Sequence, residues 1–208
     1  MEPRIYAYKM TTDNGGAPCV WRGLLSLAIC KGRIRRAAKR GSIIFGFGGK
    51  DYGERLLYIA EITAKPPTGE YYRKKRYQSR PDCIYEEMPD GTAHRKEAAQ
   101  FHNKSDQRRS DVGMKFEKAD VLLSKDFRYF GKVGTDDYKK EYPRIRAAIE
   151  RLGRGHRVNH EQSLYRDLMA LKRKIWQNPE KTQGAPTSSD KRKVCHGGST
   201  MECAGRKN

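Results

Sequence analysis

The chain is short of acid, short of apolar residues, and has no regular pattern of cysteine. Its 208 residues hold 25 Asp+Glu against 44 Lys+Arg, a formal charge of +19 at pH 7. So large an excess repels itself unless a polyanion offsets it, and nucleic acid is the usual partner. Hydrophobic residues make up 36% of the chain, which leaves room for one packed core but leaves much of the length as solvated surface or tail. No apolar run approaches the roughly 18 residues that span a membrane. The opening, "MEPRIYAYKM", lacks the apolar core of a signal peptide and reads as a first strand, so the expectation is a cytoplasmic protein with no membrane partner. Cys19, Cys30, Cys83, Cys195 and Cys203 are odd in number, with no CxxC pair, which argues against a disulfide framework and a structural zinc site. The cluster Cys195, His196, Cys203 sits in a Gly/Ser-rich tail and reads as chance, so no metal is expected.

What is there begins with "GGAPCVWRGLLSLAICKGRIRRAAKRGSIIFGFGGK". Leu24, Leu27, Ile34 and Ala38 fit one face of a helix, weakened by Gly32 and closed by Gly41. "SIIFGF" and "RLLYIAEIT" read as strands joined by "GGKDYGE". Residues 64–114 look polar and loop-like, a functional or mobile insert. "ADVLLSKDFRYFG" is strand-like, "YPRIRAAIERLG" a helix with Pro143 in its first turn, and "NHEQSLYRDLMALKRKIW" a last helix with Leu164, Leu168, Leu171 and Ile175 on one face. The division expected is one domain over 1–176 and a disordered basic tail over 177–208.

Arg22, Lys31, Arg33, Arg35, Arg36, Lys39 and Arg40 form a basic block free of acid, in which Arg33, Arg36 and Arg40 share a helical face able to neutralise phosphates. Gly46, Gly48 and Gly49 could let the backbone approach a phosphate or base, with Phe47 and Lys50 beside them; they form neither a P-loop nor a dinucleotide fingerprint. Trp21, Phe47, Tyr58, Tyr71, Tyr72 and Tyr77 interleave with basic residues as base-stacking aromatics do, although Tyr58 and Phe45 suit a core, and Trp21 is the best candidate to face a base. For catalysis the candidates are His102, Asp106 and Asp126, with Asp111 and Asp120 also available. Ser124 and Cys30 have no neighbouring histidine to mark an activated nucleophile.

Two blocks carry a resemblance. Leu27, Ala28, Cys30, Lys31, Ile34 and Arg35 in the first, and Val121 to Ser124 with Asp126, Phe127, Tyr129, Phe130 and Gly131 in the second, resemble the nucleotide modification associated domain 2 family over about residues 4 to 160. Arg80-Pro81 fits as well. The strand–helix–strand–strand order also resembles PUA-like domains such as the EVE and ASCH groups. The resemblance implies a setting in phage and bacterial systems that handle modified DNA bases, and a PUA-like fold: α+β, a partly closed β-barrel with flanking helices. The expected function is binding of DNA or a nucleotide, a modified base resting in a pocket beside the basic face. Trp21, Arg22, Lys31, Arg33, Arg35, Arg36, Arg40, Gly46, Phe47, Gly48 and Lys50 would form that site. The alternatives are an enzyme acting on a nucleotide or DNA base through His102, Asp106 or Asp126, and a factor that binds a host protein or sequesters a nucleotide. Which cofactor, if any, such a chain uses is unknown from the sequence.

Overall fold

The computed structural model describes residues 2–153 and 155–187. In chain order these form β1 (Ile5–Met10), β2 (Cys19–Trp21), β3 (Leu24–Leu27), α1 (Gly32–Ala37), β4 (Ile43–Gly48) and β5 (Leu56–Glu61). The middle of the chain adds α2 (Glu70–Arg73), β6 (Tyr85–Glu87), β7 (Ala93–Arg95) and α3 (Ser105–Asp111). Then come β8 (Leu122–Ser124), β9 (Asp126–Tyr129), α4 (Tyr138–Glu141), α5 (Pro143–Glu150), β10 (His156–Arg157) and α6 (Gln162–Trp176). Among the described residues no helix is long and apolar enough to cross a membrane.

The main sheet runs β10-β1-β4-β5-β9, with β1 parallel to β4 and the other pairs antiparallel. A parallel pair needs a long crossover, and β2, β3 and α1 supply it. Side chains alternate across a strand, so β1, β4 and β5 split between two cores. Ile5, Ala7, Ile43, Phe45, Phe47 and Ile59 face Ile145, Ile149, Leu164 and Leu168 of α5 and α6. Tyr6, Tyr8, Met10, Ile44, Tyr58 and Ala60 face Leu25, Leu27, Ile34 and Ala38. Burial on both faces explains why "IIFGFG" carries no polar residue.

The expected PUA-like, partly closed barrel is not formed. The edges of the main sheet, β10 and β9, do not pair with each other, and β2-β3-β8 and β6-β7 are separate small sheets. The chain is α+β with mixed sheets. The single bridge Ala64–Leu123 links the end of β5 to β8 without closing a cylinder. Leu24–Leu27 is strand rather than helix, because Leu25 and Leu27 pack into the core while Ser26 and Leu27 pair with Leu123 and Leu122 of β8; the helix begins only at Gly32. Beyond α6 the chain does not leave the domain at once. Lys181 and Gln183 exchange main-chain hydrogen bonds with Tyr129 at the open edge of β9. The rest of the tail expected over 177–208 lies outside the described residues from 188 onward.

The 64–114 insert is not a loop. Its Tyr71, Tyr72, Tyr77, Tyr85 and Val112 form a third core together with Phe116 and with Ala28, Ile29 and Leu123 of the sheet side. Its attachment is polar and buried: Asp82 accepts from Ser26 Oγ at 2.5 Å and from Tyr71 OH at 2.7 Å. Arg80 donates to the carbonyls of Cys19, Trp21 and Leu24 and to Ser26 Oγ. Satisfied buried networks of this kind fix one arrangement of the parts they join, and here they lock the insert onto β3.

Candidate active site

After β3 the buried residues Ala28 and Ile29 lead into Cys30 and Lys31, both in left-handed backbone conformation (φ 55° and 46°), and α1 starts directly afterwards. Such φ values are uncommon in side-chain-bearing residues and persist only where the surroundings enforce them. The enforcing group is Arg35, fully buried. Its guanidinium donates to the carbonyl of Cys30 at 2.6 Å, of Asp111 at 2.8 Å and of Asp120 at 2.5 Å. The result is a sharp strand-to-helix turn with the Cys30 side chain at its apex.

The insert supplies the complement. His102, itself at φ 51°, places Nε2 3.0 Å from Cys30 Sγ. Its Nδ1 is hydrogen-bonded to Asp111 Oδ2. In the neutral tautomer whose Nδ1–H donates to this carboxylate, Nε2 is left to accept from the thiol. Asp111, at the end of α3 and 1% exposed, also accepts from the Cys30 main-chain N–H at 2.7 Å and from Tyr85 OH at 2.9 Å, with Arg35 at 3.8 Å. Burial first, and the Asp111 charge second, push the Tyr85 hydroxyl far above its ordinary range, so it stays protonated and a donor. Thiol, imidazole and carboxylate thus stand in the order nucleophile, base, orienting acid. At the other two described cysteines, burial pushes the Cys83 thiol up to about 11 and that of Cys19 higher still.

The triad opens on a cavity of about 420 Å³. Thr11, Thr12 and Asn14 wall it from the β1–β2 connection, Lys31 from the turn, and Phe101, Asp106, Gln107 and Ser110 from the insert. Lys31 Nζ lies 4.7 Å from the Tyr8 ring centroid. Among the described residues no group of three or more His, Cys, Asp or Glu could hold a metal ion. Three of the six non-glycine residues with positive φ among the described residues (Cys30, Lys31 and His102) line this one cavity.

Residues 2–193 match the family model described as nucleotide modification associated domain 2. The chain belongs to that family. No curated protein and no solved structure matches it. The match runs past the span of the two recognised blocks, through α6, and puts the domain 2 chain in the setting of nucleotide modification.

Within this family member the residues singled out from sequence fall into separate places. His102, Asp106 and Lys31 meet at the cavity, whereas Asp126 is distant in role: its Oδ1 accepts from Trp176 Nε1 at 2.8 Å. Trp21 is 37% exposed on the β2–β3 hairpin beside Arg22 (5.7 Å to the ring centroid) and is not in the cavity wall. Arg33, Arg36 and Arg40 are exposed along and just after α1, and Lys50 is exposed after β4. Arg35 is not with them; a guanidinium enclosed by three carbonyls cannot reach a phosphate. Gly46, Phe47 and Gly48 do not line a nucleotide pocket either, since all three are buried in β4. Gly46 is needed because the Tyr58 ring lies where its Cβ would be, 2.1 Å away. Cys30 carries no local mark of a nucleophile, because its histidine is 72 residues away. The available signal was the position of Cys30-Lys31-Gly32, a cysteine closing an apolar strand at a glycine-bearing turn into a helix.

Proposed function

We propose that the chain is a thiol-dependent enzyme of nucleotide modification, with Cys30 as nucleophile, His102 as general base and then acid, and Asp111 holding His102 in the working tautomer. The observation that supports this reading is the 3.0 Å approach of Cys30 Sγ to His102 Nε2 at the wall of a cavity, with the Asp111 carboxylate on the opposite ring nitrogen. In the reaction class that such a triad serves best, the thiol proton passes to Nε2 as sulfur attacks an acyl carbon. The C–S bond forms and the carbonyl electron pair moves to oxygen. Collapse expels the leaving group, which takes its proton from His102 and leaves a thioester on Cys30. Water or an amine, deprotonated by His102, then attacks the thioester and releases the thiol. Asn14 and Gln107 carry amide donors on the cavity wall, the kind of group that stabilises a developing oxyanion.

The substrate side of this reading keeps the nucleotide. The cavity volume lies within the range of small-molecule sites, roughly 300–1,000 Å³, with a cation from Lys31 and an aromatic face from Phe101 on its walls. The test is a panel of nucleotides and short DNA strands bearing ester- or amide-linked groups on the base, incubated with the protein and acid-quenched. The expected product is a hydroxylamine-sensitive adduct on the Cys30 peptide, absent in Cys30→Ser and slower to form in His102→Gln. Turnover that survives in Cys30→Ser would overturn the proposal, as would a whole panel without an adduct.

A further inference from the structure

A larger cavity, about 840 Å³, shares no residue with the first. Its walls are basic: α5 contributes Arg144, Arg151 follows at its C-terminal end, β10 contributes His156 and Arg157, and Glu161 is the single acid among its lining residues. Arg144 is tied to Asp167 at 2.9 Å. Arg151 and Arg157 are exposed. At one end His156 packs against the Tyr6 ring (5.8 Å between centroids), over which Arg4 also lies. Burial, and then the charges of Arg33 and Arg4, hold the His156 imidazole below its ordinary range. Arg4, over the Tyr6 ring, stands beside this end of the groove, and the exposed Arg33 at the start of α1 is near enough for its charge to act on His156.

We propose that this groove is a docking track for the sugar–phosphate backbone of a nucleic acid strand, with phosphates held by Arg151 and Arg157 and continuing toward Arg33 and Arg4. The lining has no Phe, Tyr or Trp, and its one ring, His156, is already packed against Tyr6, so the contact is with backbone rather than with bases and is blind to sequence. The charge of the whole chain, +19, draws a polyanion to this face from a distance. The groove stands apart from the thiol site and holds whether or not Cys30 reacts.

The experiment is fluorescence anisotropy of the full chain with labelled single-stranded and duplex DNA over a series of salt concentrations. The double variant Arg151→Gln/Arg157→Gln is expected to weaken binding about tenfold or more at low salt. It should also flatten the plot of log affinity against log salt by about two, since each phosphate contact contributes about 0.9. The charge-matched control Lys75→Gln/Arg76→Gln, on the insert, is expected to change the slope by less than half as much. Equal losses in the two double variants would mean diffuse attraction and overturn the track. So would a loss of binding in Cys30→Ser as large as in the groove variant, because the contact would then belong to the first cavity. An adduct-negative chain that still binds through Arg151 and Arg157 would sink the thiol reading and leave the track standing.

Discussion

Arg35 Nε donates to the carbonyl oxygen of Cys30 at 2.6 Å, so an arginine buried in a six-residue helix fixes the backbone that presents the thiol. The same guanidinium reaches the main chain of Asp111, and thus holds the Cys30 turn and the end of α3 against one another.

Replacing Arg35 is therefore expected to cost about 3–5 kcal/mol, the scale for removing one partner of a buried ionic network. Urea unfolding of Arg35→Met measures it. Arg35→Lys should recover little, because a single ammonium cannot reproduce the fork that reaches three carbonyls.

Alkylation should be selective. A thiol with a pKa near 11, as at Cys83, is thiolate in only about one molecule in a thousand at pH 8, and Cys19 is pushed higher by its burial. Native iodoacetamide labelling followed by peptide mapping should modify Cys30 far faster than Cys19 and Cys83, and His102→Gln should slow Cys30 alone. Mapping also separates Cys195 and Cys203, which lie outside the described residues.

Asp111→Asn should preserve shape while removing the charge that orients His102. The orienting carboxylate of such triads is worth about 10⁴ in turnover, so the rate of adduct formation at Cys30 is expected to fall by about that factor. A fall of less than tenfold, by quenched-flow mass spectrometry, would assign Asp111 to structure alone.

Gly46→Ala should destabilise the main sheet. Its Cβ would sit 2.1 Å and 2.5 Å from the Tyr58 ring and 3.1 Å from Met10 Sδ, and overpacking of this kind costs about 1–3 kcal/mol. Gly153→Ala, where a Cβ would meet nothing within 4 Å, is the control and is expected to leave the unfolding midpoint unchanged.

Stability should fall with acidity before the carboxylates titrate. Burial first holds His160 below its ordinary pKa, with Arg157 adding to it and the hydrogen bond to Ile5 opposing; His156 is lowered as well. A depressed folded pKa means that the unfolded chain binds more protons as pH drops below about 6.5. The contribution is complete above that value and is lost as pH falls through the lowered pKa. Thermal unfolding of the parent and of His156→Asn/His160→Asn across this window should show a slope in the first and a flatter line in the second.

The elements that could be read from sequence are those whose burial follows a simple period. The stripe Leu164, Leu168, Leu171 is the buried face of α6, and Pro143 does open α5. Strands β1, β4 and β5 were legible from their apolar runs. Leu24–Leu27 misled because its leucines are spaced equally well for a helix, and only pairing with β8 decides between the two. The insert was opaque because its core is made of tyrosines whose hydroxyls need particular partners, such as Tyr72 on the Ala28 carbonyl and Tyr71 on Asp82. The site was half legible: His102 and Asp106 stood out as chemistry, but pairing of Cys30 with His102 is a tertiary fact with no local trace. Arg35 was misplaced for the converse reason, since in sequence it is one arginine among several.

The insert that carries His102 and Asp111 is held to the sheet through the Asp82 and Arg80 anchors and a core shared with Ala28, Ile29 and Leu123, while the thiol belongs to the sheet side. Reactivity of Cys30 is thus a gauge of assembly. A molecule in which the insert has come away would keep its main sheet with α5 and α6 packed on it, look largely folded, and be chemically silent.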